Sequence, residues 1–225
     1  MQVTFFILTL LFVSCIASGA AENTSGFDHF WMVHSWPPVY CQQIRCKRKP
    51  SDFVLHGLWP VNSTGHSLKN STNDTPNFRG LIRNVSFAEE MDNSWPSLGS
   101  TEGQGASKHV GFWEHEWKEH GSGQPYGEKY YLQAVIRLTR KVNLLRILGN
   151  QRIFPNGKSY RKTDYIHATK DIYGYPILKC YKGYLLNEVI ICVDGQARNF
   201  ISCSQKERKL TNCYQNNINF PPFSR

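Results

Sequence analysis

The pattern of apolar positions along the chain predicts three strands. The stretch FDHFWMVHSWPPVYC (27–41) is rich in aromatic and β-favouring residues up to Pro37-Pro38, which predicts a strand followed by a turn. Phe53–Leu58 and Tyr184–Val193 are mostly apolar, and such runs are typical of buried strands. We therefore expect these segments to form the β-structure of the core.

One helix is predicted between Glu128 and Leu148, where apolar residues recur at three- and four-residue steps. The recurring residues are Tyr131, Val135, Leu138, Val142 and Leu145. Gly149 follows them and is expected to end the helix. Because no repeat or linker divides the remaining chain, the whole pattern predicts a single α+β domain.

The first 21 residues are predicted to be a secretory signal. An apolar run from Phe5 to Val13 precedes small residues suited to cleavage after Ala20 or Ala21, and it is too short to span a bilayer. No other stretch is apolar enough for a membrane helix. We therefore expect residues 22–225 to form the domain of a secreted, extracellular protein.

Six cysteines remain once Cys15 is removed with the signal, and an even number in a secreted chain indicates disulfides. The six are Cys41, Cys46, Cys180, Cys192, Cys203 and Cys213. Their spacing favours a local loop between the first two and two bridges among the last four, with the pairing of those four left open. A metal site is the weaker interpretation, since the chain has no C-x-x-C pair.

Five N-x-S/T sequons are candidate glycosylation sites. They begin at Asn23, Asn62, Asn70, Asn73 and Asn84. Four of them fall between Val61 and Ser86, a polar stretch with little periodicity. This stretch is therefore interpreted as a glycosylated surface loop.

The net charge of +9 is unevenly distributed, because Lys129–Lys170 holds ten basic residues and a single acid, Asp164. One interpretation is a solvated helix face followed by a basic loop. The other is a surface that attracts a polyanion such as RNA. Charge alone does not decide between them.

The stretch GFWEHEWKEHG (111–121) carries the densest group of chemically active residues. On a helix, Glu116 and His120 lie one turn apart on one face, and Trp113 and Trp117 are spaced to anchor the helix to the core. His115 and His120 are five residues apart, about 140° around the helix. The zinc-protease motif needs a spacing of four, so this stretch predicts no metal site.

A second stretch, FVLHGLWP (53–60), ends an apolar run with His56 and places Trp59 beside it. A pair of buried, hydrogen-bonded histidines is the ordinary interpretation of His56 and His120. Two imidazoles with Glu116 near one of them also suit general acid–base chemistry at neutral or acid pH.

These two stretches resemble the two active-site segments of the ribonuclease T2 family. They occur in the same order and at a fitting separation, and the likeness extends from FDHFWMVHSWPPVYC to the final cysteines. The resemblance implies one T2-type domain with an antiparallel β-sheet core packed with helices. The basic charge, sequons and signal are most similar to the plant S-RNase branch, the self-incompatibility ribonucleases.

The resemblance also implies a function: a monomeric endoribonuclease that cleaves RNA to 2′,3′-cyclic phosphate ends without a metal or cofactor. His120 matches the base of the family, and His56 matches the acid. Glu116 matches its acidic helper and His115 its phosphate-binding histidine. Trp59 lies where a base could stack, although core packing is an equally good interpretation.

Three departures from the family bear on activity. The family places a Lys before the second active-site histidine, where this chain has Glu119, and Lys118 lies about 100° away on a helix. Loss of one stabiliser of the transition state typically costs about 10²–10³ in rate. Val61 also stands where some relatives place a polar residue that reads the base.

The third departure is a missing disulfide. The family has a Cys shortly after its His-Gly pair, where this chain reads Ser122-Gly123, and no partner Cys occurs between Val61 and Trp95. Both halves of one bridge are absent together. Loss of such a bridge typically costs about 2–5 kcal/mol of stability.

Two alternatives to an active ribonuclease remain. The first is a catalytically weakened T2-fold protein that binds RNA or a protein, because Glu119 would repel the phosphate. In an S-RNase setting its partners would include pollen-side recognition proteins, with Val61–Trp95 as the specificity surface. The second is an extracellular storage or defence protein.

Overall fold

A computed structural model describes residues 26–48, 50–68, 76–99 and 108–223 of the 225-residue chain. The predicted signal and the sequons at Asn23, Asn70 and Asn73 lie outside the described residues. Among the described residues, none of the helices has the length and apolar character that a membrane span requires.

A mixed, mostly antiparallel sheet forms the centre of the fold. Its strands are β1 (His29–Ser35), β2 (Val54–Val61), β3 (Ser159–Arg161), β4 (Ile177–Tyr181), β5 (Leu185–Val193), β6 (Phe200–Ile201) and β7 (Asn217–Asn219). The sheet order is β2-β1-β5-β7-β3, and β4 and β6 also pair with β5. Only the contact of β5 with β7 is parallel among the described pairs. The α+β class with an antiparallel core is therefore confirmed.

Short helices also occur along the described chain. They are α1 (Pro37–Tyr40), α2 (Phe78–Leu81), α3 (Val85–Ser94), α4 (Val110–Glu119), α5 (Glu128–Thr139), α6 (Leu144–Asn150), α7 (Lys162–Tyr173) and α8 (Gln205–Arg208). A 3₁₀ turn at Gly121–Gly123 follows α4. The turn predicted after Pro37-Pro38 is α1 itself, because proline fits the first turn of a helix.

The core lies between the central strands and helices α4 and α5. Met32 of β1 and Leu58 of β2 are fully buried there, as are Trp113 and Leu132 from the helices. Tyr131 of α5 donates a hydrogen bond from its hydroxyl to the Leu58 carbonyl at 2.9 Å. This contact attaches α5 to the strand that carries His56.

The single helix predicted over Glu128–Leu148 is wrong, since the structure has two helices, α5 and α6. The side chain of Asn143 accepts a hydrogen bond from the Arg146 backbone N–H at 2.9 Å and so begins a new helix. The Tyr173 hydroxyl receives the Asn143 N–H and donates to the Lys141 carbonyl, which holds the break against α7. Gly149 lies inside α6 and does not end it.

The polar stretch interpreted as a surface loop also contains helices. Asn77 and Asn84 each cap a helix with the side chain, at the start of α2 and α3. Phe78 and Met91 are fully buried and attach these helices to the core. The two asparagine caps start these helices, and the weak apolar periodicity of the sequence did not indicate them.

Three disulfides join the six cysteines of the domain: Cys41 with Cys46, Cys180 with Cys213, and Cys192 with Cys203. The local loop agrees with the spacing. Of the three pairings open to the last four cysteines, the structure has the one that ties β4 to the segment before β7 and closes the β5–β6 hairpin.

Several basic residues of Lys129–Lys170 have partners within the fold. Arg137, Lys141 and Lys162 donate to the backbone carbonyls of Ala197, Arg198 and Cys213. Arg140 pairs with Glu90 at 2.8 Å, and Arg161 pairs with Asp164 at 3.1 Å. These contacts give five of the ten basic residues a partner within the fold, and those that donate to carbonyls keep their positive charge.

Candidate active site

His56 lies at a β-bulge. Gly57 of β2 is opposite Val33 of β1, whereas Leu55 is opposite His34, so His56 is the extra residue on its strand. A bulge bends a strand and redirects the side chain it carries. The strand continues through Trp59 to Val61, so His56 is held inside a paired strand and does not stand at its end.

Gly57 makes room for the groups around this bulge. A Cβ atom built on Gly57 would collide with the Glu116 carboxylate and with the indole N–H of Trp59. The Trp59 Nε1–H donates to Glu116 Oε2 at 3.0 Å across the space that a side chain would fill. Position 57 therefore has to be a glycine, because Trp59 and Glu116 meet in the space that any side chain would fill.

Helix α4 supplies Glu116 from its buried face. Trp113 and Trp117 are buried on the same helix and anchor it, as their spacing predicted. Glu116 is only 2 % exposed, and its Oε1 lies 3.5 Å from His56 Nε2. His115 and Lys118 point to the exposed side of the helix.

His120 ends α4. Its backbone N–H still donates to the Glu116 carbonyl at 3.0 Å, but its φ of −133° leaves the helical range. The ring of His120 stacks on the Trp59 indole, with centroids 4.4 Å apart and planes 26° apart. Its Nδ1 lies 3.3 Å from the Ser67 hydroxyl.

Trp59 is the residue that brings the two histidines together. His56 packs edge-on against the same indole, with ring centroids 5.2 Å apart. Both imidazoles and the Glu116 carboxylate thus contact one side chain. Of the predicted site residues, the structure brings His56, His120, Glu116 and Trp59 into contact, and it leaves His115 on the neighbouring exposed face of α4.

Two further residues contact His56, and nothing in their local sequence indicated this. Glu188 of β5 lies with Oε1 2.9 Å from His56 Nδ1, and the Ser35 hydroxyl donates to the same oxygen at 3.1 Å. The Tyr40 hydroxyl lies 3.5 Å from His56 Nε2. The sheet order β2-β1-β5 brings Glu188 near His56, and helix α1 supplies Tyr40.

The charges at the site influence one another. Burial alone would lower the pKa of His56, but the hydrogen bond to Glu188 and the charges of Glu116 and Glu188 outweigh it and raise that pKa above 6.5. Burial raises the pKa of Glu116, against the opposing effect of His56. Burial and the two carboxylates also raise the pKa of Tyr40 to about 12, so its phenol stays protonated.

A cavity of about 160 Å³ opens beside His56. Its lining is mainly apolar and includes a few polar groups, a composition typical of small-molecule sites. Among the lining residues are Ser35, Tyr40, Ile44, Ser97, Leu98 and Phe112.

The turn after His120, where the family has a Cys, packs against the segment that follows β2. A Cβ atom built on Gly123 would lie 2.9 Å from Leu68 Cβ and 3.2 Å from the Leu68 carbonyl oxygen. The Leu68 N–H donates to the Pro60 carbonyl at 2.8 Å, which holds this segment against β2. Leu68 therefore occupies the space beside the turn that follows His120.

His29, Cys192 and Glu207 form the one group of potential metal ligands among the described residues. The Cys192 sulfur belongs to a disulfide, and His29 Nε2 already lies 2.8 Å from Glu207 Oε1. This cluster is therefore a hydrogen-bond network between β1 and α8.

Comparison with known proteins identifies relatives of the whole fold. The family model described as "Ribonuclease T2 family" matches residues 27–203. The chain is 33% identical over 224 residues to "Ribonuclease S-7" of Nicotiana alata, covering 97% of both chains. It is 31% identical to "Extracellular ribonuclease LE" of Solanum lycopersicum, covering 89% of this chain and 90% of the relative.

Among solved structures, the chain is similar to RNase NT, whose crystal structure was determined in complex with 5′-AMP. The TM-score is 0.70 at 32% sequence identity, and the match covers 88% of this chain and 99% of that one.

Proposed function

Because this chain belongs to the ribonuclease T2 family and is therefore an RNA-cleaving enzyme, we propose that His56 and His120 are its catalytic acid and base. The observation that supports this assignment is the packing of both imidazoles against one indole, Trp59. Glu116 contacts both His56 and that indole, so all four groups belong to one constellation.

The proposed reaction is a transesterification within RNA. A nitrogen of His120 takes the proton of a 2′-hydroxyl, and that oxygen forms a bond to the adjacent phosphorus. The bond between phosphorus and the 5′-oxygen breaks, and His56 Nε2 gives its proton to the departing oxygen. The products are a 2′,3′-cyclic phosphate and a free 5′-hydroxyl, and DNA, which lacks the 2′-hydroxyl, is left intact.

Glu116 and His115 are proposed to assist the two catalytic histidines. The Glu116 carboxylate lies 3.5 Å from His56 Nε2 and favours the protonated imidazole that the acid step needs. His115 lies on the exposed side of α4, where its imidazole can reach a phosphate that binds over the helix. Removing either group is expected to slow cleavage without abolishing it.

Trp59 and the cavity beside His56 are proposed to contact the RNA bases. The cavity adjoins the acid and so suits the base of the departing nucleotide. One face of the Trp59 indole is occupied by His120, which supports a role in holding the catalytic groups as well as in base stacking. Replacing Trp59 is therefore expected to lower the turnover rate as well as substrate affinity.

A weakened, RNA-binding protein is the second candidate function, and Glu119 is the observation that favours it. Glu119 is the last residue of α4 and directly precedes His120. An ionised carboxylate here would repel the phosphate where the family has a stabilising Lys. Activity is therefore expected to rise about 10²-fold or more when positive charge is restored.

The experiment compares RNA cleavage between pH 4 and pH 8 by the parent and by the Glu119→Lys and His56→Ala variants. Under the proposed function the parent cleaves RNA above background, His56→Ala abolishes cleavage and Glu119→Lys increases it. Glu114→Lys is the matched control, because it makes the same charge change on the same helix at a residue that pairs with Arg79 instead.

Other outcomes would contradict the proposal. If the parent and His56→Ala are equally silent but bind RNA, the binding function is correct. If His56→Ala cleaves as fast as the parent, the site is wrong. If Glu114→Lys accelerates cleavage as much as Glu119→Lys, the effect is one of net charge and not of position.

Secretion, glycosylation and the S-RNase role are further parts of the proposal. The apolar leader and the sequons support an extracellular glycoprotein, although relatives in tomato are named as an extracellular and an intracellular enzyme. Expression of the full chain in plant cells should give a secreted protein whose mass falls on treatment with peptide N-glycosidase. Intracellular retention without glycans would contradict this.

A role in self-incompatibility is proposed from the basic charge, the sequons and the similarity to an S-RNase. Protein partners from pollen would then bind the segment Val61–Trp95. The purified protein should arrest pollen tubes of a matching genotype and spare the others. Equal growth of all pollen tubes would instead favour a defence or storage role.

A further inference from the structure

Glu188 lies at the centre of the sheet and contacts the proposed catalytic acid. We infer that Glu188 is a positioning residue: its carboxylate accepts the Nδ1–H of His56 and thereby presents Nε2 to the scissile bond. The inference rests on the proposed function, since it concerns the role of His56 in RNA cleavage.

The strand register explains how the contact arises from residues 132 positions apart. Glu188 of β5 lies opposite Ser35 of β1 and opposite Lys179 of β4. The bulge in β2 brings His56 over the same part of the sheet, where its Nδ1 lies 2.9 Å from Glu188 Oε1. The Ser35 hydroxyl donates to that same oxygen at 3.1 Å and so helps to fix the carboxylate.

The contact determines which nitrogen of His56 is available for chemistry. A carboxylate only accepts hydrogen bonds, so Nδ1 must carry a proton in both charge states of the ring. Nε2 lies instead near Glu116 Oε1 and the Tyr40 hydroxyl, each 3.5 Å away. The proton that His56 gives to the departing oxygen therefore comes from Nε2, and the Nδ1 proton stays on the ring.

Glu188 also favours the protonated ring, which is the form that an acid needs. The Glu188 side chain is 13% exposed, so solvent weakens its charge only partly. The titratable groups that face His56 are Glu116 from α4, Tyr40 from α1 and Glu188 from β5, while Lys179 from β4 interacts with Glu188. Two carboxylates thus act on the imidazole, and no cation among these groups touches it directly.

The test uses two substrates that differ only in the leaving group. Uridylyl-3′,5′-uridine releases an alkoxide and needs an acid, whereas uridine 3′-(4-nitrophenyl phosphate) releases a stable phenolate and does not. Glu188→Gln should lower kcat on the dinucleotide by about 10²-fold, which is within the usual contribution of a general acid. On the aryl ester it should change kcat less than about threefold, a split that a general acid predicts.

The matched control is Glu207→Gln, which removes another buried carboxylate from a histidine of the same sheet, His29. It should leave the ratio of the two rates unchanged. If Glu188→Gln slows both substrates equally, Glu188 has only a structural role and the inference is wrong. If neither rate changes, it has no role in the reaction.

Histidine NMR separates this inference from the proposed function. In the parent, ¹⁵N shifts should report a proton on His56 Nδ1, and Glu188→Gln should move the titration of His56 to lower pH. The NMR result does not depend on catalysis. A parent that cleaves neither substrate would overturn the proposed function, and the position of the proton on His56 could still be measured. A proton on Nε2 alone in neutral His56 would overturn the inference even if RNA is cleaved.

Discussion

At the scale of single residues, the site depends on the space left by Gly57. Its missing side chain lets Trp59 Nε1 reach Glu116, and that hydrogen bond holds the indole against which both histidines pack. Gly57→Ala should therefore separate Trp59 from Glu116 and lower kcat/KM for RNA by about 10²-fold, comparable to loss of one preorganised contact. Steady-state kinetics with a defined oligoribonucleotide measures the loss.

A suitable control for Gly57→Ala is Gly111→Ala on α4, where an added Cβ meets no atom within 4 Å. This variant should retain full activity and gain slightly in stability, because alanine is the better helix former. If Gly57→Ala keeps the activity of the parent, the close approach does not matter for the chemistry.

The pH dependence of the reaction follows from the raised pKa of His56. The acid must be protonated, so the alkaline limb of the kcat/KM profile should lie at a pH above 6.5. Glu116 contributes to that rise, and Glu116→Gln should move this alkaline limb to lower pH. A profile measured from pH 4 to pH 9 tests both statements, and a limb that does not move in Glu116→Gln would contradict the assignment.

The sequence contains the chemistry of the site but not its full set of contacts. His56, Glu116 and His120 stand in recognisable segments, and their residue types alone suggest acid–base work. Glu188 stands in an apolar strand, where a single acid resembles an ordinary solvent-facing residue. Its role depends on the register between β1 and β5, which no local pattern specifies.

At the scale of elements, the turn after α4 packs against the segment after β2 closely enough to accept an engineered disulfide. Leu68→Cys combined with Gly123→Cys should form a bridge between them after a shift of about 1 Å, since the Cβ atoms of a disulfide are about 3.5–4.5 Å apart. The bridge should raise the free energy of unfolding by roughly 2–4 kcal/mol. Urea denaturation measures the gain.

The control for this bridge is the double serine variant at the same two positions, which introduces the crowding at Gly123 without the cross-link. It should be less stable than the parent. If the double cysteine variant forms the bridge, as shown by its mass, and gains no stability, the prediction is wrong, and strain in the folded state offsets the constraint on the unfolded chain.

Element boundaries show where patterns of apolar residues fail. Val142 and Leu145 continue the helical period of α5, yet α5 ends at Thr139 and a new helix, α6, begins at Leu144. The cause is a cap at Asn143 and a tyrosine from α7, a contact between segments 30 residues apart. Periodicity predicted the buried face of α5 correctly, but the buried residues of α6 are Leu144, Ile147 and Leu148 and not Leu145. It could not predict the break, because the break depends on a tertiary contact.

At the scale of the whole molecule, a buried charge network closes the end of the sheet. Glu207 of α8 receives hydrogen bonds from Trp31 and His29 of β1, and His29 also contacts Asp28. These side-chain contacts, with the capping bond from Ser204, overcome burial and lower the pKa of Glu207 to about 2. The hydrogen bonds to Glu207 and Asp28 raise the pKa of His29 in spite of its burial.

This network predicts how stability depends on pH. The lowered pKa of Glu207 adds stability that is present above about 4.5, the ordinary value, and is lost as the pH falls towards 2. The raised pKa of His29 adds stability that is complete below 6.5 and is lost as the pH rises through the raised value. The two effects together place the greatest stability from this network between about pH 4.5 and pH 6.5.

Glu207→Gln tests the acid half of this argument. At pH 6 the variant should unfold with about 3 kcal/mol less free energy than the parent, because a shift of this size in a buried carboxylate corresponds to that amount. The difference should shrink as the pH is lowered to 2.5, since Glu207 of the unfolded parent is protonated below about 4.5 while the folded parent still resists protonation. Urea titrations at pH 6, 4 and 2.5 measure it, and a difference that stays constant over this range would mean that Glu207 stabilises the fold by packing and not by its charge.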